Sequence, residues 1–348
     1  MSWINRRYTF LMVLLTIAGL ILFLMNIALG SVYIPLSQVV RVLIGSPVEV
    51  ESWIFIIQKT RLPQALTAIM AGAGLAVGGL QMQALFRNPL ADPSILGVSS
   101  GAGLGVAVVL MFGGFSGFAL SALGWLGHLT VTMAAFLGAM VVLLLILVLA
   151  NRLRDNAMLL IIGIMVGYAA SALIGILKFY SMKEDVHSFV IWGLGSFSSV
   201  SWTRMQVFFP VVILGLVGSV LLIKPLNIMT LGDEYASNLG INIKRSRFWV
   251  LTCTGILTAT ITAFCGPIAF LGLAVPHLTK GLFRTSNQQV LVPAVMLAGS
   301  ILALFCNLIA RLPGFDGALP INAVTSMIGA PVVIYVILRG RKLIQANG

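Results

Sequence analysis

Pro93 to Asn151 reads PSILGVSSGAGLGVAVVLMFGGFSGFALSALGWLGHLTVTMAAFLGAMVVLLLILVLAN, 59 residues without an Asp, Glu, Lys or Arg. His128 is its one side chain that titrates near neutrality. A water-soluble helix needs a polar face, and this run supplies none. A charge at the centre of a lipid-spanning helix costs roughly 2.5–3.5 kcal/mol on insertion scales, so spanning sequences push charges to their ends. The run is too long for one crossing of about 20 residues. It reads as two spans joined by a Gly-rich turn around Gly113–Gly127.

The rest of the chain agrees. Hydrophobic residues make up 59% and charged residues 9%, against about 25% charged in ordinary soluble domains. A mean hydropathy of +1.07 leaves no room for a sizeable soluble domain. The net charge of +12 comes from basic residues scattered singly between apolar runs, as orientation signals are, which argues against nucleic acid as a partner. Cys253, Cys265 and Cys306 lie inside apolar runs with no CxxC spacing, so they read as packing residues rather than a disulfide or zinc set. Arg6-Arg7 followed by Tyr8–Gly30 has the outline of a signal peptide, but the apolar stretch is long and shows no clear cleavage pattern. It reads as a retained first span.

Apolar runs bounded by charges and turn residues place spans near 8–30, 63–86, 94–112, 128–150, 157–178, 205–223, 248–265, 267–283, 289–310 and 322–338. The uncharged stretch Phe248–Thr279, interrupted at Gly266-Pro267, is either one kinked span or two short ones, and charge parity decides. With ten spans both termini share a face that carries 14 of the 21 Lys and Arg residues, among them Arg87, Arg152, Lys280 and Arg339. The opposite face keeps seven: Arg41, Lys59, Arg61, Lys178, Lys183, Arg204 and Arg311. The basic-rich face is cytoplasmic by the positive-inside rule. Nine spans would export the Arg339–Lys342 cluster. The expected fold is all-α: a single polytopic membrane domain over 1–348, with about ten transmembrane helices and both termini cytoplasmic.

Gly74-x-x-x-Gly78, Gly97-x-x-x-Gly101, Gly101-x-x-x-Gly105 and Gly163-x-x-x-Gly167 have the spacing that lets helix backbones approach closely in lipid. No GxxxxGK[ST], HExxH or GxSxG motif occurs. Of the nine acidic residues, Asp92, Asp155, Asp233 and Glu234 fall in expected cytoplasmic turns and Glu49, Glu51, Glu184, Asp185 and Asp316 in outer loops. An ion-coupled carrier ordinarily keeps such groups inside its spans. If the chain carries out energised transport, the fuel is burned by another chain or supplied by an ion gradient, as in a gradient-driven secondary transporter; a membrane-embedded enzyme is disfavoured because the span interiors hold no charged groups.

Several ordered blocks carry a family resemblance. They are Arg61-Leu-Pro-Gln64, Ala71–Gln83, Arg87-Asn-Pro-Leu-Ala-Asp-Pro93, Leu96–Ala102, Trp192-Gly-Leu-Gly-Ser196, Leu231–Gly240, Gly266–His277 and Gly329-Ala-Pro331. Together they resemble the FecCD/BtuC-like permeases, the membrane subunits of type II ATP-binding-cassette importers for iron chelates, haem and cobalamin. The resemblance covers nearly the whole chain and implies ten spans in the bacterial inner membrane. It implies a homodimer, two ABC ATPase subunits that bind ATP-Mg, and a periplasmic substrate-binding protein. It implies no cofactor on this chain and no covalent chemistry. Which chelate is carried stays open, iron-siderophore being the commonest choice.

The resemblance also assigns places. Asn88 and Leu90 would line the cytoplasmic gate, with Asp155-Asn156 as a second gate element. Asp92 is expected to cap the next helix, with Pro93 at its first position. The connection 224–247 holds the block implied to couple to the ATPase: Leu231, Gly232, Asp233, Glu234, Ala236, Leu239 and Gly240, with apolar anchors for affinity and small residues for close approach. Arg61 and Arg311, on the outer face, would meet acids of the binding protein; snorkelling at a span end is the plain alternative. Two positions depart from the family pattern. Gln64 replaces a second arginine, and Ala318 in Gly317–Asn322 replaces a glutamate. His277 reads as a hydrogen-bonded helix-end residue rather than a metal ligand. Lys183-Glu-Asp-Val-His187 is either a solvated loop or a contact for cargo or its carrier.

Overall fold

The computed structural model describes residues 2–30, 32–115, 125–153, 156–311 and 319–345, and every regular element among them is helical. Ten helices occupy the expected spans: α1 (Ser2–Ala28), α4 (Leu62–Leu85), α5 (Val98–Phe115), α6 (Trp125–Arg152), α7 (Asn156–Tyr180), α9 (Trp202–Leu221), α12 (Ile243–Cys265), α13 (Leu271–Phe283), α14 (Gln288–Ala310) and α15 (Ile321–Gln345). Five shorter helices connect them: α2 (Leu36–Leu43), α3 (Glu51–Phe55), α8 (Lys183–Gly193), α10 (Ile223–Met229) and α11 (Asp233–Asn238). Among the described residues seven helices are long and apolar enough to cross a membrane by themselves, and α5 and α15 contribute shorter apolar stretches.

Side-chain contacts sort the ends of these helices into the two faces expected from charge. An Arg7 guanidinium nitrogen donates to the Leu282 carbonyl (3.3 Å), and one of Arg247 donates to Leu153 O (3.0 Å). The Asn287 amide oxygen accepts from Asn227 (3.1 Å). These join 7, 153, 227, 247 and 282–287 at one end. At the other, Trp202 Nε1 donates to Gln58 O (2.6 Å), and the Ser196 amide donates to Cys265 O (2.7 Å).

α4 is the central helix, buried along nearly its whole length. Its glycines explain how neighbours come so close. A Cβ at Gly72 would sit 2.7 Å from Ala303 Cβ of α14, and one at Gly79 would sit 2.5 Å from Gly272 Cα of α13. Only hydrogen fits there, and contact between backbones replaces the hydrophobic gain that lipid does not offer. Gly101 and Gly105 do the same against Gly138 and Ala134 of α6. Gly97 differs from its expected role. It is the left-handed residue (φ 78°) that ends the 3-10 turn Pro93–Leu96, so it acts through backbone freedom rather than as part of a helix face.

The stretch around Gly266-Pro267 is a full break, and α12 and α13 are separate helices. A 13-residue helix reaches only about 20 Å, so the segment 266–270 carries irregular backbone at membrane depth. Such backbone survives only where protein satisfies it. Here Cys265 O accepts from the Ser196 amide, Leu194 O accepts from the Asn322 amide (3.2 Å), and Asn322 Oδ1 accepts from the Ala269 amide (3.1 Å). A Cβ at Gly266 (φ 77°) would lie 2.6 Å from Trp192 O. Gly329 packs against the Phe270 ring. The sequence blocks at 192–196, 266–277 and 329–331 therefore meet at one place and hold this break.

Outside the spans the helices exceed the expectation. A continuous helix runs from Glu51 through a π-helical turn, Ile56–Arg61, into α4. The Lys183–His187 stretch opens α8 rather than forming a loop. The turn expected near Gly113–Gly127 lies largely in residues 116–124, outside the described residues.

Candidate coupling, gating and docking sites

The connection 224–247 folds into two short helices, α10 and α11, as the resemblance implies. Leu226, Met229 and Ala236 are buried against the subunit, while Leu231, Tyr235 and Leu239 point outward, 65%, 54% and 54% exposed. Tyr235 lies on α11 with Leu239 four residues on at its C-cap, so these two share a face, while Leu231 precedes the helix, set off from it by Gly232 (φ 119°). Glu234 is exposed beside them, and Asp233 opens the helix. Gly240 (φ 79°) ends it with open space around its Cα. Ala236 corrects the expectation: it is small because it is wedged into its own subunit, not because a partner approaches it. Tyr235 was missed, although the four-residue spacing with Leu231 and Leu239 was there to be read.

The turn that the resemblance assigns to the gate sits beside this surface. Arg87 follows the end of α4 in a left-handed conformation (φ 48°), and its guanidinium lies against Gly232, 3.6 Å from where a Cβ would stand. Asn88 Oδ1 accepts from the Leu90 amide (2.9 Å), a local turn that leaves Leu90 exposed and apolar. Asp92 Oδ1 accepts from the Ser94 amide (2.9 Å) and from its hydroxyl, with Pro93 at the first position, the cap read from sequence. Burial pushes the Asp92 carboxyl above the usual carboxylate range, and the Ser94 bonds oppose that. The turn Pro93–Leu96 packs on α7 at Gly163. Asn156 opens α7, and Asp155 lies outside the described residues.

On the outer face the two arginines differ from each other. Arg61 is 1% exposed. Its Nη1 donates to Ile27 O (2.8 Å) and Ala28 O (2.9 Å), and its Nη2 to Val32 O. These are carbonyls at and beyond the end of α1, which the helix itself cannot satisfy. Arg61 is thus committed to holding α1 and the following turn, a correction to its reading as a surface docking charge. Arg311 caps α14 and is half-buried; its Nη1 has no hydrogen-bond partner among the described residues. The two guanidiniums converge on Gly30, whose hypothetical Cβ would lie 3.0 Å from one and 3.2 Å from the other. Burial and the charge of Arg61 bring Arg311 down to about 10. It stays cationic at neutral pH, with unused donors.

The departures also find places. Gln64 is buried, and its Nε2 donates to Asn307 Oδ1 (3.0 Å); Asn307 in turn donates to Asn26 Oδ1 (2.8 Å). An arginine there would put a charge into a neutral amide chain linking α1, α4 and α14. Ala318 and Asp316 lie outside the described residues. His277 Nδ1 donates to Leu273 O (2.9 Å) within its own helix. Among the described residues no three His, Cys, Asp or Glu side chains gather as a metal site.

A long-helix bundle with a broken span, a short outward-facing helix pair on one face and converging cations on the other defines a multi-pass transport permease. The model of the FecCD transport family matches residues 16–339. A vitamin B12 import system permease protein BtuC from Klebsiella pneumoniae is 34% identical over 340 residues, 97% of this chain and 95% of that one. Its counterpart from Photorhabdus laumondii is 37% identical over 289 residues, 81% of this chain and 82% of that one. A solved chain assigned to the metal-chelate type of ABC transporter, in an inward-facing conformation, superposes with a TM-score of 0.81 at 29% identity, covering 94% of this chain and 99% of that one. The chain belongs to the FecCD transport family. It is the transmembrane permease, not the ATP-hydrolysing part of such a system.

Proposed function

We propose that two copies of this chain form the translocation unit of an ATP-binding-cassette importer for a metal chelate of the cobalamin, haem or iron-siderophore class. Cobalamin takes first place among these because the relatives named above are vitamin B12 permeases. Two ATPase subunits seat on α10–α11, and a substrate-binding protein delivers cargo at the outer face. ATP-Mg belongs to the ATPases, and this chain holds no cofactor of its own.

The observation that carries the reading is the group of exposed apolar side chains at and beside α11, Leu231, Tyr235 and Leu239, on the basic-rich face, a surface of the kind that docks in a groove. A shallow depression of about 320 Å³ on the exposed side of α7 supports a path between two copies. Ser94, Ser100, Tyr168 and Ser171 line it, polar groups on an otherwise apolar surface. Alternating access then consists of two rigid arrangements whose balance nucleotide shifts.

Purified permease in liposomes should accumulate labelled cyanocobalamin or a ferric siderophore only with its ATPase, its binding protein and ATP present. Uptake driven by a proton or sodium gradient without the ATPase would replace this reading with that of a secondary carrier.

A further inference from the structure

Behind α8, on the outer side, lies a cavity of about 500 Å³ between the starts of α6 and α9 and the end of α12. Its walls are apolar, from Val131, Ile191, Trp192 and Phe264, and three nitrogen-bearing side chains converge on it: His128, His187 and Arg204. Arg204 Nη1 donates to Ser199 O (2.5 Å) and Nη2 donates to Thr132 Oγ1, and the guanidinium stands 5.4 Å from the centre of the Phe264 ring. These contacts aim the group but leave its charge uncompensated, because no carboxylate pairs with it among the described residues. The His128 and His187 imidazoles bond to no described side chain or backbone group. His128 is the one histidine of the charge-free run, and His187 ends the stretch whose alternatives were a solvated loop and a contact for cargo or its carrier.

A half-buried cation without a counter-charge, beside free N–H donors and aromatic walls, is complementary to an anion with an apolar body. We propose that this cavity binds the acidic group, carboxylate or phosphate, of an amphipathic molecule. Arg204 and the two histidines hold the anion; Trp192 and Phe264 seat the apolar part. The volume suits a small organic acid or a lipid headgroup. The inference goes beyond the transport function and does not depend on it.

The test uses the full chain in phosphatidylcholine nanodiscs, titrated calorimetrically with 2-naphthoate and with neutral 2-naphthamide. Naphthoate should bind at least tenfold more tightly than the amide. Arg204→Gln and the cavity-filling Ile191→Trp should each weaken naphthoate at least tenfold, and His187→Leu severalfold. Should Arg204→Gln fail to fold through loss of its Thr132 and Ser199 bonds, His187→Leu and Ile191→Trp still decide, since neither side chain makes a hydrogen bond to described residues. A second arm exchanges in phosphatidylglycerol. Its competition with naphthoate, and its retention in native mass spectrometry, assign the site to a headgroup; absence of competition assigns it to a free acid. The proposal is overturned if the wild type binds neither naphthoate nor phosphatidylglycerol above the phosphatidylcholine background, or if the variants bind like the wild type.

Discussion

Truncating Leu239 to Ala should loosen the permease's hold on its ATPase while leaving the permease itself intact. Leu231, Tyr235 and Leu239 are each more than half exposed and make no part of the subunit core. A partner groove that covered them would remove about 100 Å² of apolar surface per side chain, worth roughly 2.5 kcal/mol each at 25 cal/mol per Å². The costs of rigid-body association and side-chain ordering fall on wild type and variant alike and largely cancel in the difference. Leu239→Ala keeps one carbon of four, so it forfeits about 1.9 kcal/mol, or about 25-fold in affinity. Leu239→Asp adds the cost of desolvating a carboxylate and should abolish the complex. The assay is titration of labelled permease in nanodiscs with the cognate ATPase, alongside a thermal melt of the permease alone. Glu234→Ala on the neighbouring position should move affinity by less than twofold. Affinity within twofold of wild type for the Tyr235→Ala, Leu239→Ala double variant would refute the helix-in-groove argument.

The two outer arginines should respond in opposite ways. Arg61→Ala removes a charged donor from three carbonyls, of which Ala28 O keeps the Ile34 amide, a loss of about 3 kcal/mol that lowers the melting temperature or the yield of folded protein; Arg311→Ala should leave melting nearly unchanged and weaken binding-protein capture, with the remaining wild-type affinity falling as salt rises. Gly79→Ala should destabilise the bundle by about 1–3 kcal/mol by forcing α4 from α13, whereas Gly175→Ala, with nothing within 4 Å of its added carbon, should melt like wild type. Asp92→Asn tests the buried cap: the raised carboxyl means that ionisation disfavours the fold, so any stability carried by its neutral form is lost as pH rises through the folded-state value. The variant should therefore melt at or above the wild type at pH 8, with the gap closing below about pH 4, where the unfolded carboxyl is also protonated.

The spans were legible because lipid penalises charge so heavily that helix ends are written as charges. The ninth span, expected at 289–310, is Gln288–Ala310, and the fifth, expected at 157–178, is Asn156–Tyr180. Outside lipid that rule lapses. Glu51–Arg61 carries Glu51, Lys59 and Arg61 and still continues the α4 helix, and Lys183–Gly193 carries three charges in its first turn and is still a helix. Neither has a charge-free signature, so hydropathy alone places no helix at either.

The site residues divide along another line. The Asp92 cap was readable because caps are local: the groups that bond are two residues apart, whereas the coupling segment came from the family resemblance. Arg61 and Ala236 were not, since their partners lie 29 to 34 residues away for one and in the subunit core for the other. A cation at a span end ordinarily snorkels to water. Only the three-dimensional arrangement reveals that the end of α1 supplies acceptors first.

The same arrangement joins the coupling and gate regions more closely than sequence distance suggests. Gly232 caps the start of α11 and lies against Arg87, the first residue of the turn proposed as the gate, 145 positions earlier. From Arg87 the chain runs through the Asn88 turn and the Asp92 cap to Pro93–Leu96, and that turn bears on α7 at Gly163. The first link is the Arg87 side chain; from Arg87 onward each step is a short hydrogen-bonded turn or a backbone contact. On the proposed reading, an ATPase that displaced α11 would move the gate turn with it and would reach the path-facing side of α7 by the same motion. A flexible linker at 231–240 could not do this. The physical requirement on that segment is therefore stiffness as well as affinity, which a buried Ala236 supplies from inside and Arg87 braces from the side.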